Sequence, residues 1–147
     1  MATTATISIS SDVAPGFGGI SNSMTLTQAG ALTDIEETTG FSRRRFTATT
    51  AKDLIIMADA SLIQETDDNT AHKVYIRNVG DGRGNIDKST YVAIGIGDVS
   101  GTPQQIGRLY GGDWMLFPVT GVDGEDVVAT PENDNPVVLE YVMFYEI

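Results

Sequence analysis

The 147-residue chain has no cysteine, one tryptophan and one histidine. Without thiols it forms neither disulfides nor thiolate metal sites, and a cysteine nucleophile is excluded. The single imidazole, His72, has no second ring with which to share a metal ion. Basic side chains are also scarce: nine Lys and Arg against twenty Asp and Glu give a formal net charge of −11. A field of that sign repels nucleic acid, so no DNA or RNA partner is expected. Long apolar runs are missing too. The densest, "LIIMA" and "WMLFPV", are far too short to cross a bilayer, and no membrane partner is expected. The opening "MATTATISIS" has neither a basic start nor an apolar block, and does not read as a secretory leader. A soluble protein made in a cytoplasm is expected.

Abundant instead are Thr, Ser, Gly and the β-branched aliphatics, which suit strands and turns. From Thr3 to Ser10, Ala5, Ile7 and Ile9 alternate with Thr and Ser, the period of a strand with one apolar face. "APGFGGISN" reads as a loop, and Met24 and Leu26 alternate with threonines as a second short strand. "DIEETTGF" has room for one helical turn, and "RRRFTATT" reads as a strand. In "KDLIIMADASLIQE", Asp53 either caps a helix bearing Leu54, Met57 and Ala58 or precedes a strand over "LIIMA", and the strand is preferred.

From Lys73 onward the alternation is clear. Val74 and Ile76 share one face of "KVYIRNV", and Val92, Ile94 and Ile96 share one face of "TYVAIGIG". The Gly- and Asp-rich stretch between them predicts a hairpin with a long loop. "QQIGRLY" and "DWMLFPV" flank Gly111-Gly112, which predicts a second hairpin with a tight turn, Pro118 marking the end of regular pairing. Met115 and Phe117 are expected in the core, with Trp114 nearer an interface. "PVVLEYVMFYEI" is apolar on both faces, as in a central strand or one whose second face meets a partner. About eight short strands predict an all-β chain, a single jelly-roll-like β-sandwich over residues 23–147 with an extended N-terminal arm over residues 1–22.

Chemical motifs fail on inspection. "GDVSGTP" (residues 97–103) has Val99 between Asp98 and Ser100, in a chain too short for a two-barrel protease, and reads as a polar loop. His72, beside Lys73 and after the polar "ETDDNTA", reads as a solvated loop residue. "GDGRGN" lacks the Lys-Ser/Thr ending and the following helix of a phosphate loop. Asp81, Asn85 and Asp87, Asp67-Asp68, Asp123 with Glu125 and Asp126, and Glu132 with Asp134 do not follow the EF-hand order and read as solvated acidic loops. No catalytic residue, cofactor or metal ligand is therefore expected. Arg43, Arg44 and Arg45 form the one basic run. On a strand Arg43 and Arg45 share a face, where they either pair with the chain's own carboxylates or dock on an acidic partner. Tyr110, Trp114, Phe117 and Tyr145 are of the residue types that anchor interfaces, with ordinary core as the competing role.

The succession "KVYIRNVG", "YVAIGIG", "IGRLYGGDWMLFPV" and "VVLEYVMFYEI" resembles small structural proteins of tailed-bacteriophage virions. The resemblance covers residues 73–147 and rests on strand and turn residues. It implies a non-enzymatic virion protein made in the host cytoplasm, foremost a capsid decoration (cement) protein. Such a protein would bind the major capsid protein and copies of itself, in a homo-oligomer such as a trimer. The competing expectation is a tail- or fibre-associated module binding carbohydrate or calcium. Ile7, Ile9, Arg43, Arg45 and Trp114 are the expected interface residues: an alternating arm adds to a neighbour's sheet edge, and arginine and tryptophan anchor protein contacts.

Overall fold

A computed structural model describes residues 4–9, 19–25, 37–38, 40–55, 72–120 and 124–145. They form eleven strands: β1 (Thr4–Ile9), β2 (Ile20–Thr25), β3 (Glu37–Thr38), β4 (Ser42–Phe46), β5 (Lys52–Ile55), β6 (His72–Asn78), β7 (Tyr91–Ile96), β8 (Gln104–Tyr110), β9 (Trp114–Val119), β10 (Val127–Pro131) and β11 (Val137–Tyr145). No helix occurs among the described residues.

The all-β sandwich expected from the alternation is present. One sheet has the order β3-β11-β6-β9, with β4 also pairing β11, and the other the order β5-β10-β7-β8. β1 and β2 form a separate antiparallel ribbon. The pairing of the eight strands from β4 onward is nested: β4 with β11, β5 with β10, β6 with β9 and β7 with β8, all antiparallel. Rolling this long hairpin adds the lateral pairs β6·β11 and β7·β10.

Inward-facing positions of both sheets make one core. Phe46, Val74, Ile76, Leu139 and Met143 of the first sheet pack against Leu54, Val92, Ile94, Leu109 and Val127 of the second. Each such burial removes a whole aliphatic or aromatic side chain from water, which stabilises by about 1.5–3 kcal/mol. β11 is central, with neighbours on both sides, and its second apolar face includes the buried Val142. That accounts for its two-sided apolar sequence. β5 is a strand, as preferred over the capped helix, but residues 56–71 lie outside the described ones.

Several expectations are corrected. β6 and β7 do not form a hairpin; they lie in different sheets and contribute Val74 and Ile76, and Val92 and Ile94, to the core from opposite sides. The inward faces of the two strands are thereby stacked across one core. β8 and β9 do not form a hairpin either: β8 pairs with β7 and β9 with β6. Gly111-Gly112 does make a tight turn, closed by the Asp113 amide donating to the Tyr110 carbonyl at 2.9 Å. The turn is a corner that carries the chain from one layer to the other. Pairing on β9 continues past Pro118 to Val119, opposite His72; proline is tolerated because β9 is an edge strand and needs no donor on its open side. The loop expected over "APGFGGISN" ends earlier, since β2 begins at Ile20, and β2 crosses the arm boundary drawn at residue 22. Glu37–Thr38 form a short strand rather than a helical turn. β10, at the centre of the second sheet, has no counterpart in the sequence-based strand assignment.

Asn78 ties the corner. Its side-chain amide donates to the Leu109 carbonyl at 3.0 Å and its side-chain oxygen accepts from the Gly80 amide at 2.9 Å. Its backbone carbonyl accepts from Gly112 and its amide donates to the Asp113 carbonyl, both at 2.9 Å. One buried residue thus holds β6, β8 and the turn between β8 and β9 together.

Candidate docking surface

Strand alternation places Lys73, Tyr75 and Arg77 of β6 on the outer face of the first sheet, because Val74, Ile76 and Asn78 face inward. The register then defines rows across the sheet. In one, Arg43 of β4 lies beside Glu140 of β11, which lies beside Arg77 of β6 and, beyond it, Trp114 of β9. In the next, Val142, Tyr75 and Leu116 are neighbours, and Phe41 meets Tyr75 edge to face with centroids 6.4 Å apart. The Tyr75 and Trp114 rings lie 6.2 Å apart. An aromatic string, Phe41–Tyr75–Trp114, therefore crosses the sheet beside a charged row.

The ribbon borders this face. Ala5, Ile7 and Ile9 alternate along β1, with Ile20 opposite Ile9, and the Thr6 and Ser23 hydroxyls bond at 2.9 Å on the other side. A cleft of about 350 Å³ runs between Thr4 and Ala5 and the sheet residues Phe41, Tyr75, Arg77 and Val142. A second, of about 300 Å³, is lined by Ala5, Ile7, Tyr75, Trp114 and Leu116. Much apolar surface stays in water: Ile7 is 38%, Ile9 49%, Ile20 44%, Trp114 50% and Phe41 75% exposed.

Arg43 and Arg45 share the outer face, as their spacing requires. Arg43 donates through Nε to Glu140 Oε1 at 2.7 Å and through Nη2 to the same oxygen. Arg45 is exposed beside Val138 and makes no ion pair among the described residues. Arg44, on the opposite side, donates to the Asp53 carbonyl. Partial burial lowers the Lys73 pKa. Met115 and Phe117 turn inward and pack on the core, whereas Trp114 faces out. The side chain of Tyr145 and the acidic residues Asp67, Asp68 and Asp123 lie outside the described ones.

His72 is not a solvated loop residue. It is the first residue of β6, 1% exposed, on the inward face opposite Val119. Burial, and secondarily Lys73, depresses its pKa below the usual histidine value. The polar residues before it masked an inward position that the strand period places in line with Val74 and Ile76.

The acidic loops are occupied with their own backbones. Asp81 Oδ1 accepts from the Arg83 and Asn85 amides at 2.7 and 3.2 Å, and Oδ2 from the Asn85 side chain at 2.7 Å. Asp87 accepts from the Ser89 amide and hydroxyl at 2.7 and 2.6 Å. These hydrogen bonds hold both carboxyl groups below their ordinary pKa. Asp98 accepts from the Ser100 amide at 2.7 Å, so "GDVSGTP" is a turn between β7 and β8. Burial and the nearby charges of Asp126 and Asp98 raise the Asp53 pKa. No group of three or more His, Asp or Glu among the described residues is placed to hold a metal ion. On the second sheet, Tyr91 and Tyr110 meet at 5.5 Å, but the Arg108 guanidinium lies 4.5 Å over the Tyr91 ring and covers that face.

Ile7, Ile9, Arg43, Arg45 and Trp114 thus fall on the ribbon or on the adjoining outer face, together with Phe41, Tyr75 and Arg77, which sequence reasoning had not grouped with them. The alternation of "KVYIRNV" carries the signal for Tyr75 and Arg77. Phe41 carries none, since it precedes its strand. No protein-family model matches the sequence, and no curated protein matches it either.

Proposed function

We propose that the protein is a non-enzymatic structural component of a tailed-phage virion, made in the host cytoplasm. On this reading it is a decoration protein that docks on the major capsid protein at the outer shell, alongside copies of itself, and stabilises the shell. The observation that carries this is the location of the exposed large apolar side chains. Of the eight among the described residues, Ile7, Ile9, Ile20, Phe41 and Trp114 lie on the ribbon or on the adjoining outer face. Concentrated exposed apolar surface, rich in aromatics and arginine, is the signature of a protein contact. The strand order supports the reading. Eight strands nested as one rolled hairpin are what a jelly-roll reading requires, an architecture shared by capsid and lectin domains.

The test is binding of the purified protein to particles that lack it. Trp114→Ala should weaken particle binding at least about tenfold while costing little fold stability, since the ring is half exposed. Phe46→Ala, which empties a core position, should cost about 3–5 kcal/mol of stability. If Trp114→Ala unfolds the protein as badly as Phe46→Ala, or binds particles as wild type does, the docking role fails. Mass-spectrometric counting of copies per particle separates a shell component from a tail component.

A further inference from the structure

We propose that the protein associates with itself head to tail, the Arg43 and Arg45 side of the outer face of the first sheet receiving the acidic loop end of the next copy and leaving the ribbon and the Phe41–Tyr75–Trp114 string to the capsid. The inference rests on the self-association part of the proposed function and not on the capsid. It starts from an uneven charge distribution. Four of the nine basic residues, Arg43, Arg45, Lys73 and Arg77, lie on this one face, and Glu140 is the carboxylate among them in the described residues. A chain of net charge −11 has thus placed four of its nine basic side chains on one face.

The complementary surface is at one end of the sandwich. The loops after β6, β8 and β10 converge there: the Gly111 amide donates to the Asp87 carbonyl and Glu132 to the Tyr91 carbonyl, both at 3.0 Å. The Thr49 amide donates to Asp134 Oδ1 at 3.1 Å. These loops carry Asp81, Asp87, Asp113, Glu132 and Asp134 against Arg83 and Lys88. Their internal hydrogen bonds fix the backbone before contact, which lowers the ordering cost of docking. Arginine forks suit carboxylates: Arg45 is exposed with no ion pair among the described residues, and Arg43, 70% exposed, keeps donors free beside Glu140.

A two-fold contact of the face with itself would oppose like charges, which costs several kcal/mol. Face and loop end are different surfaces, so the contact is heterologous, and such contacts close into rings when the rotation permits.

The test is analytical ultracentrifugation of the full-length protein over a concentration series. Arg43→Glu with Arg45→Glu should weaken self-association more than about tenfold, and so should Glu132→Lys with Asp134→Lys. All four positions are exposed, and circular dichroism checks that both variants stay folded. Mixed together, the two variants present complementary surfaces again and should re-associate. A wild type that is monomeric at every concentration would overturn the inference and leave a foreign acidic surface as the occupant, without touching the particle-binding result. Variants that associate as wild type does, or folded variants that fail to re-associate on mixing, would overturn it equally.

Discussion

Gly111 is buried at the corner between β8 and β9, and its backbone φ is not positive. Its requirement for glycine is one of space. A Cβ there would lie 2.2 Å from the Asp87 carbonyl oxygen and 2.8 Å from Ile86 Cγ2, so Gly111→Ala must push the turn off the 85–87 segment. That movement breaks the Gly111–Asp87 hydrogen bond and loosens the Gly112–Asn78 bond, each worth about 1 kcal/mol. Overpacking strain adds about 1–3 kcal/mol, for a total of about 3–5 kcal/mol. In a chain of this length that lowers Tm by roughly 10 °C. Gly112 provides the internal control. Its φ is 94°, but the nearest atom to an added Cβ is 3.8 Å away, so Gly112→Ala meets only left-handed strain of about 1–2 kcal/mol. Urea unfolding of both variants, read by tryptophan fluorescence and circular dichroism, gives the comparison. If Gly111→Ala is no more destabilised than Gly112→Ala, the close approach to Asp87 is not what holds the corner.

Asn78→Ala should cost about 2–3 kcal/mol, because the Leu109 carbonyl and the Gly80 amide lose their buried partner; Asn78→Asp should cost more, since a carboxylate would face the Leu109 carbonyl, and equal unfolding midpoints for the two would refute this. His72 has a folded-state pKa below its usual 6.5, chiefly through burial. The stability it contributes is therefore fully present above about pH 6.5 and is lost as pH falls toward the folded value. The difference in stability between wild type and His72→Gln should shift across that window, and a pH-independent difference between pH 7 and 5 would contradict the assignment.

The alternation of Val74 and Ile76, and of Val92 and Ile94, made the strands legible without a partner. A side-chain period of two is a property of the extended backbone itself, and it also identified which residues face in. It identified β11 as two-sided, and placed Arg43 and Arg45 on a common face. His72 was misplaced because its polar flank outweighed the period that put it in line with Val74. β10 gave a weak signal: a five-residue strand with three adjacent apolar residues and a terminal Pro131 does not alternate, as befits a strand covered on both faces. The residues of the candidate docking surface were legible one by one, in the arm isoleucines, the arginines and Trp114, but not as one surface.

Partner choice was decided only by the tertiary structure. A Gly-Gly pair specifies that the chain reverses tightly, and the same local geometry serves a hairpin within one sheet or a corner between two. The choice came from elsewhere: Asn78 has backbone and side-chain groups placed to bind the turn and β8 together, and β9 finds its partner in β6, thirty-six or more residues back in the chain. The sequence determined most of the strands, most of their inward faces and the absence of thiol chemistry, because these depend on residue type and local period. Which strands become neighbours depends on contacts distant in sequence that must close simultaneously around one core, and only the folded chain brings Phe41, Tyr75 and Trp114 into one string beside Arg43 and Arg77.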